Sequence, residues 1–199
     1  MPADSPRPDA PWIVVGLGNP GPAYAHHRHN VGYLVADQLA ERIGSPFRSH
    51  KSGRADVVEG RLAVPGPRVV IARPRSYMNE SGGPVKALAN YYRVSADHVV
   101  VVHDELDIPF GALRIKLGGG DNGHNGLRSV RSSLGTGDFY RVRAGIGRPH
   151  GHQDVSDFVL SGYSSAERKE LPFQLVEASD AVESLICDGL ELTQQRFNR

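Results

Sequence analysis

The sequence has one cysteine, no long apolar run and no secretion-signal pattern, and each of these absences excludes a class of protein. Among 199 residues Cys187 stands alone, so a disulfide framework is excluded and a reducing compartment fits. No stretch approaches the roughly 20 apolar residues that a membrane-spanning helix needs. The N-terminus lacks the basic-then-apolar order of a secretion signal. We therefore expect a cytoplasmic protein that contacts no membrane.

The first eleven residues are rich in proline and polar side chains, a composition typical of disordered segments. With 39% hydrophobic residues, the rest of the chain is long enough to form one domain with a sizeable core. No internal repeat divides it. We predict a disordered tail over residues 1–11 and a single domain over residues 12–199.

Apolar strands that alternate with amphipathic helices predict an α/β fold. The predicted strands are 12–15, 69–72, 99–102, 113–117 and 140–146. The predicted helices are 31–43, 84–92, 127–134 and a C-terminal pair that begins at Ser164, is interrupted at Pro172 and ends at Gly189. The four valines of 99–102 do not alternate with polar residues, as expected in a sheet covered on both faces. We predict one three-layer domain, a mixed and mostly parallel sheet with helices on both faces, and we expect Cys187 in its core.

Imidazole, carboxylate and carboxamide groups follow predicted strands or glycine turns at three points of the chain. His29 follows the glycine turn 16–21, Asp104 follows the valine strand, and His124 and Asn125 follow a run of glycines. Ligands of open α/β folds bind beyond the carboxyl ends of the strands, where these residues fall. A base, an orienting acid and oxyanion donors are built from such groups. No Ser or Cys stands in a nucleophile motif, which favours water as the nucleophile.

Two other interpretations of these segments remain open. Residues 16–21 match the G-x-G-x-x-G pattern of dinucleotide-binding loops, but Pro20 and the polar stretch behind it delay the helix that such a loop needs. A turn that carries Asn19 into a cleft fits better. The nine histidines raise a metal alternative, yet no H-E-x-x-H or comparable ligand spacing is present. We expect neither a metal nor a cofactor.

Positive charge is concentrated in two segments, although the net charge is only +1. Residues 48–75 and residues 111–153 each contain seven Lys or Arg and two acidic residues, whereas residues 163–199 contain four basic and seven acidic residues. A basic face on a near-neutral protein suits a polyanion such as nucleic acid. A solvated surface with scattered arginines is the alternative.

Together these segments resemble the ordered signature blocks of the bacterial-type peptidyl-tRNA hydrolase family. The blocks are V-V-G-L-G-N-P-G at 14–21, R-H-N at 28–30, Y-M-N at 77–79, H-D-E-L-D at 103–107, and G-G-G through G-H-N-G-L over 118–127. The similarity covers nearly everything from residue 12 onward. It implies an esterase that cleaves peptide from tRNA when peptidyl-tRNA leaves the ribosome early, so that the tRNA is recycled. Because some relatives serve as RNA-splicing factors, a non-catalytic tRNA- or RNA-binding protein is the alternative.

The resemblance also implies roles for individual residues. His29 matches the base that activates water, and Asp104 matches the carboxylate that orients and charges its imidazole. Asn125 matches an amide near the scissile carbonyl, suited to steadying an oxyanion. The positions matched to substrate binding are Asn19, Tyr24, Met78, Asn79 and His124. The positions matched to tRNA phosphates are Arg114, Lys116 and Arg143, and we expect the protein to bind peptidyl-tRNA as a monomer.

Several of these positions also have a purely structural interpretation. His124 is compatible with a loop cap, and Asn79 with a helix N-cap. Asp104 is compatible with a surface carboxylate, which is what we expect Glu105 and Asp107 to be.

The chain departs from the family pattern at three places without removing a catalytic group. Asp121-Asn122 places a side chain where Gly is common, Gln153 replaces a frequent Lys, and His27 replaces a usual Thr. The loop over the cleft and one phosphate contact can therefore differ from those of the family.

Overall fold

A computed structural model describes residues 9–199, and residues 1–8 of the predicted tail lie outside the described part. Within it, seven strands form one sheet: β1 (Trp12–Gly16), β2 (Arg48–Ser49), β3 (Ala55–Gly60), β4 (Val69–Pro74), β5 (Val99–Glu105), β6 (Leu113–Leu117) and β7 (Tyr140–Gly145). Their order in space is β2-β3-β4-β1-β5-β7-β6. Strands β4, β1, β5 and β7 are mutually parallel, whereas β3 and β6 are antiparallel to their neighbours. The predicted mixed, mostly parallel sheet is confirmed.

Six α-helices are present in residues 9–199: α1 (Val31–Ile43), α2 (Gly82–Tyr92), α3 (Asn125–Leu134), α4 (Val155–Val159), α5 (Ser165–Asp188) and α6 (Leu190–Phe197). Short 3₁₀ helices span Arg28–Asn30, Met78–Glu80 and Ala96–His98. None of the described helices combines the length and apolarity that crossing a membrane would take.

The sheet separates two apolar cores. On one face, Val100 and Val102 of β5 pack with residues of α1 and α5, including Leu39 and Val182. On the other face, the intervening valines of β5 pack with α2 and α3. Burying each such aliphatic side chain is worth about 1.5–3 kcal/mol relative to exposure. The unbroken valine run is therefore explained by helices on both sides, as predicted.

Backbone contact between Gly16 and Gly32 fixes where α1 begins. A Cβ at Gly16 would overlap the carbonyl oxygen of Gly32, and a Cβ at Gly32 would overlap the carbonyl oxygen of Val102. Only glycine permits this approach, which presses the start of α1 against the ends of β1 and β5. Because the 3₁₀ helix Arg28–Asn30 directly precedes α1, His29 is held at the carboxyl edge of the sheet.

Helix α5 differs from the prediction in two respects. It runs through Pro172 without interruption, although an interior proline costs roughly 3 kcal/mol. A capping box of Ser164 and Glu167 and the buried side chains of the helix's later turns offset that cost. The expectation that Cys187 lies in the core is wrong, since Cys187 is exposed. Successive residues of an α-helix are rotated by about 100° around its axis. Cys187 is two residues after the core-facing Leu185, so its side chain points to the opposite, solvent-facing side.

Side chains of α6 and the residues after it cover the free edge of β6. Asn198 Oδ1 accepts from the Ile115 amide at 2.6 Å, and Asn198 Nδ2 donates to the Ile115 carbonyl at 3.1 Å. Gln194 Nε2 donates to the same carbonyl at 2.9 Å. These bonds replace the partners that a further strand would supply.

Candidate active site

Asp104, near the end of β5, lies between two histidines. His29 Nδ1 is 2.9 Å from each carboxylate oxygen, and His124 Nε2 is 2.8 Å from Oδ1. The side chain of Asp104 is only 3% exposed, so it is not the surface carboxylate that the structural interpretation allowed. Three residues that are distant in sequence thus form one cluster at the carboxyl edge of the sheet.

The hydrogen bonds of His124 assign its tautomer. Its Nδ1 accepts from the amides of Gly126 at 3.1 Å and Leu127 at 3.3 Å, which makes His124 the N-cap of α3. A nitrogen that accepts carries no proton, so Nε2–H is the donor to Asp104. His124 therefore caps a helix and contacts the cluster at the same time.

His29 holds the opposite tautomer. An ionised carboxylate only accepts hydrogen bonds, so His29 Nδ1–H must donate to Asp104. No acceptor or donor in residues 9–199 engages His29 Nε2, whose lone pair is available to take a proton. This is the tautomer that a general base needs.

The electrostatics of the pair are set by burial and by mutual attraction. Burial alone would raise the pKa of Asp104, but its neighbours His29 and His124 outweigh that effect and hold the pKa far below its usual range. Burial alone would lower the pKa of His29, but the charge of Asp104 and its hydrogen bond raise that pKa above the ordinary 6.5. Asp104 is thus ionised at neutral pH and stabilises an imidazolium at His29.

His103 supports the cluster from within the sheet and was not predicted to have a role. It is fully buried, and its Nδ1 donates to the main-chain carbonyl of Asp104 at 2.7 Å. Its ring also meets the ring of His124 edge to face, with centroids 5.1 Å apart. Burial, together with the adjacent His124, holds the pKa of His103 well below its usual range, so this imidazole is neutral.

A cavity of about 310 Å³ opens beside the cluster. One side is polar and the other is formed by α4. Its lining includes His29, Asp104, Glu105, Asn122, His124, Asn125, Val155, Ser156 and Val159. The structure therefore brings the three predicted catalytic residues and His124 to one cavity.

Asn19 and Met78 are buried and hydrogen-bonded to each other, and neither is among the residues that line the His29 cavity. Asn19 lines a separate cavity of about 310 Å³. Asn19 Oδ1 accepts from the Met78 amide at 2.7 Å. The side chain of Asn30 pairs with both main-chain polar groups of Asn19, at 3.0 and 2.9 Å. A Cβ at Gly126 would run into Met78 Sδ, so glycine lets α3 start close to Met78. The sequence analysis did not predict this role for Asn30, although Asn30 is adjacent to His29.

Tyr24 and Asn79 are likewise absent from the lining of the His29 cavity. The Tyr24 ring packs edge to face on Tyr77, with centroids 6.1 Å apart. Asn79 is exposed and lines a separate groove of about 600 Å³. It is not the N-cap of α2, which is Ser81. Their substrate contacts stay predictions.

The three predicted tRNA contacts lie on adjacent strands. In the antiparallel register of β6 and β7, Arg114 faces Arg143 and Lys116 faces Arg141. Lys116 has no carboxylate partner in the described part of the chain. Arg141 is 1% exposed, and its guanidinium donates to main-chain carbonyls of the glycine loop, including Gly119 at 2.7 Å. It therefore anchors that loop, a role that sequence reasoning missed.

Glu105 is buried, which corrects its predicted surface position. It is 5% exposed and accepts from Arg143 at 3.2 Å and from Asn122 Nδ2 at 2.8 Å. These donors offset the cost of burying a carboxylate. Asn122 has a left-handed backbone, φ 50°, and its Nδ2 also donates to the exposed Asp107 at 2.7 Å. The departure at Asn122 thus ties the loop over the cavity to the end of β5.

In the described chain, His29, Asp104 and His124 form the one group of possible metal ligands, with ligand atoms within 4.8 Å of one another. The structure shows these atoms bound to each other, and the second nitrogen of His124 caps α3. Zinc bound at about 2.0–2.2 Å would have to replace both hydrogen bonds to Asp104. The arrangement fits proton transfer better than metal ligation.

The chain is similar to known proteins over nearly all its length. The family model described as peptidyl-tRNA hydrolase matches residues 13–199. A peptidyl-tRNA hydrolase of Frankia casuarinae is 61% identical over 98% of this chain and 97% of its own, and one of Streptomyces coelicolor is 59% identical over 95% and 96%. A crystal structure of peptidyl-tRNA hydrolase from Acinetobacter baumannii is 33% identical, covers 96% of this chain and 94% of that chain, and superposes with a TM-score of 0.84.

Proposed function

The chain belongs to the peptidyl-tRNA hydrolase family, and from this premise we propose that His29, Asp104 and Asn125 carry out the reaction. The enzyme hydrolyses the ester bond between peptide and tRNA. The non-catalytic RNA-binding alternative is not supported. The observation that carries the assignment is the 2.9 Å contact between His29 Nδ1 and the Asp104 carboxylate, which assigns the proton to Nδ1 and leaves Nε2 to accept one.

His29 Nε2 takes a proton from a water molecule while the water oxygen attacks the ester carbonyl carbon. Asp104 stabilises the imidazolium that forms, since it stays ionised in its buried position. The tetrahedral intermediate then collapses, the bond to the ribose oxygen breaks, and His29 returns the proton to that oxygen. General base catalysis of this kind contributes roughly 10²–10⁴ to the rate.

Asn125 is suited to stabilise the oxyanion. Its Oδ1 accepts from Arg128 Nη1 at 3.3 Å, which leaves Nδ2 as the donor for the carbonyl oxygen. It lines the same cavity as His29. A donor directed at developing charge is worth about 3–4 kcal/mol in comparable sites.

Substrate binding divides between peptide and tRNA. We assign the peptide side to Asn19, Tyr24, Met78, Asn79 and His124. We assign the tRNA phosphates to Arg114, Lys116 and Arg143, with a matching salt dependence of affinity. The lone cysteine and a substrate released from ribosomes support work in the cytoplasm.

The two carboxylates of the cavity explain why aminoacyl-tRNA would be spared. Asp104 accepts from His29 and His124, and Glu105 accepts from Arg143 and Asn122. Neither is free to neutralise the α-ammonium of an unblocked aminoacyl ester. An uncompensated ammonium in a desolvated cavity costs several kcal/mol, whereas the amide of a peptidyl group carries no charge.

The direct test is release of free tRNA from N-acetylaminoacyl-tRNA by the purified protein. We expect turnover of this substrate and at least tenfold slower release from the unblocked ester, which corresponds to about 1.4 kcal/mol. Comparable rates on the two substrates would contradict the selectivity argument. Dialysis against EDTA should leave turnover of a short N-blocked ester unchanged, while a loss restored by Zn²⁺ would point to a metallohydrolase.

A further inference from the structure

Arg28, the residue before the proposed base, is buried and joins two distant parts of the chain. It is 7% exposed. Its Nη2 donates to Glu167 at 2.6 Å, and its Nη1 donates to Ser161 Oγ at 3.1 Å and to the Gly162 carbonyl. These partners lie more than 130 residues later, in the segment between α4 and the first turn of α5.

Two aromatic rings enclose the same guanidinium. Its central carbon lies 4.5 Å from the ring centroid of Phe158 and 5.2 Å from that of Tyr163. A cation is attracted to the electron-rich faces of aromatic rings, and the attraction is stronger where water is excluded. Arg28 is thus held to the segment by charge, hydrogen bonds and ring contacts together.

The main chain makes the same connection. The Arg28 amide donates to the Ser161 carbonyl at 2.9 Å, and His27 forms an antiparallel bridge with Gly162. The 3₁₀ helix Arg28–Asn30 and residues 158–162 therefore meet through both backbone and side chains.

The segment that Arg28 holds is also the apolar wall of the His29 cavity. Val155, Ser156 and Val159 of α4 line the cavity, whereas Phe158, from the same helix, lies against Arg28. Helix α4 has five residues, far fewer than the roughly 12–15 that an isolated helix needs for marginal stability. Its position must come from its anchors.

We propose that Arg28 is a positioning residue that holds α4 as the wall of the His29 cavity. The base and this anchor occupy successive positions of one 3₁₀ helix, so the distance from His29 to the wall is set locally. The inference rests on the proposed function in one respect: it takes the reacting ester to lie between α4 and His29. Misplacing a reacting group by about 1 Å can cost on the order of 100-fold in rate.

The chain offers a matched control. Arg42 of α1 also reaches α5, with Nη2 at 2.7 Å from Asp180 and Nη1 at 3.3 Å from Glu183. This pairing is more exposed, and none of its residues lines the cavity. Arg28→Gln and Arg42→Gln each remove one cation that links an N-terminal element to α5, but only the first touches α4.

The experiment combines hydrogen exchange with steady-state kinetics. We expect Arg28→Gln to speed amide exchange over residues 155–162, to lower kcat on N-acetylaminoacyl-tRNA about 10- to 100-fold, and to leave the Kd for deacylated tRNA within about twofold of the parent. Arg28→Lys keeps the charge but loses the forked donors, and we expect an intermediate effect. Arg42→Gln should match the parent in all three measurements.

Parent-like exchange over residues 155–162, or faster exchange with an unchanged kcat, would overturn the proposal. If Arg28→Gln does not fold, Glu167→Gln provides the same test, because it removes the charge opposite Arg28 and keeps the shape of the capping side chain. The exchange measurement needs no activity, so it stands even if His29 proves not to be the base.

Discussion

His124 and Asp104 are joined by a 2.8 Å hydrogen bond in which His124 is the donor, because the other ring nitrogen of His124 caps α3. The carboxylate that orients His29 is therefore itself oriented by the start of a helix. A shift of α3 moves His124, and through it the acceptor of the proposed base. Helix packing and chemistry are coupled through a single imidazole.

Replacing His29 with Ala should lower kcat on N-acetylaminoacyl-tRNA by roughly 10²–10⁴, because the base is lost. Affinity for deacylated tRNA should persist, since the proposed phosphate contacts lie on β6 and β7. Gel-shift titration and tRNA release measure the two effects. The control is His26→Ala, at an exposed position in the turn that precedes the 3₁₀ helix of His29. Parental kcat in the His29→Ala variant would remove His29 from the mechanism.

Asp104→Asn should slow turnover and move its pH dependence downward. In the parent, Asp104 raises the pKa of His29 above 6.5. The rising limb of the pH–activity profile, along which His29 loses its proton, should therefore lie above pH 6.5. In the variant the raising charge is gone and burial remains, so the pKa of His29 falls and the limb moves to lower pH. A kcat/KM profile from about pH 5 to 9 measures the shift. A limb that stays in place, or moves upward, contradicts the pairing.

His124 should show separable effects on stability and rate. His124→Ala removes the cap of α3 and should cost about 0.5–2 kcal/mol of unfolding free energy. His124→Asn restores a capping oxygen but is too short to keep the bond to Asp104, so it should be nearly as stable as the parent and as slow as the Ala variant. Thermal unfolding and kcat together check this. Parental kcat in His124→Asn would show that the bond to Asp104 is dispensable.

Lys116→Glu should raise KM for peptidyl-tRNA and leave hydrolysis of a short N-blocked ester nearly unchanged. The slope of log affinity against log salt should fall by about 0.7–0.9 for one lost phosphate contact. Lys169→Glu, an exposed position on α5, provides the matched change of charge. Equal salt slopes for parent and Lys116→Glu would exclude Lys116 from the tRNA contact.

Arg143 needs a milder change than charge reversal. A glutamate there would lie beside the buried Glu105, and the repulsion would confound binding with folding. Arg143→Gln combined with Glu105→Gln keeps the pocket neutral and isolates the effect on tRNA affinity. Unchanged affinity in this double variant would mean that Arg143 only satisfies Glu105.

The sequence was sufficient to predict that His29, Asp104 and His124 lie close together, because parallel strands end at one edge of a sheet. The segments that carry His29 and Asp104 each follow a recognisable strand or glycine turn, so their meeting was predictable. The partners of Glu105 were not predictable from local pattern. Arg143 and Asn122 lie 38 and 17 residues away, and the burial of the carboxylate depends on both.

Two of the elements that escaped prediction, β3 and α4, lack a local signal. Strand β3 reads A-D-V-V-E-G and is defined by its pairing with β4, not by alternation. Helix α4 is too short for a helical period to appear. Because an interior proline usually interrupts a helix, a break was predicted at Pro172. The helix is nevertheless continuous, because α5 packs against α1 and the sheet. In each case long-range contacts decide the structure.

The coverage of β6 by Asn198 and Gln194 has a practical consequence for handling the protein. An edge strand with unsatisfied amides and carbonyls is a template for another chain. Removing the side chains of Gln194 and Asn198 would bare the backbone amide and carbonyl of Ile115. Loss of these side chains should therefore leave the strand that carries Lys116 with an open edge and favour self-association.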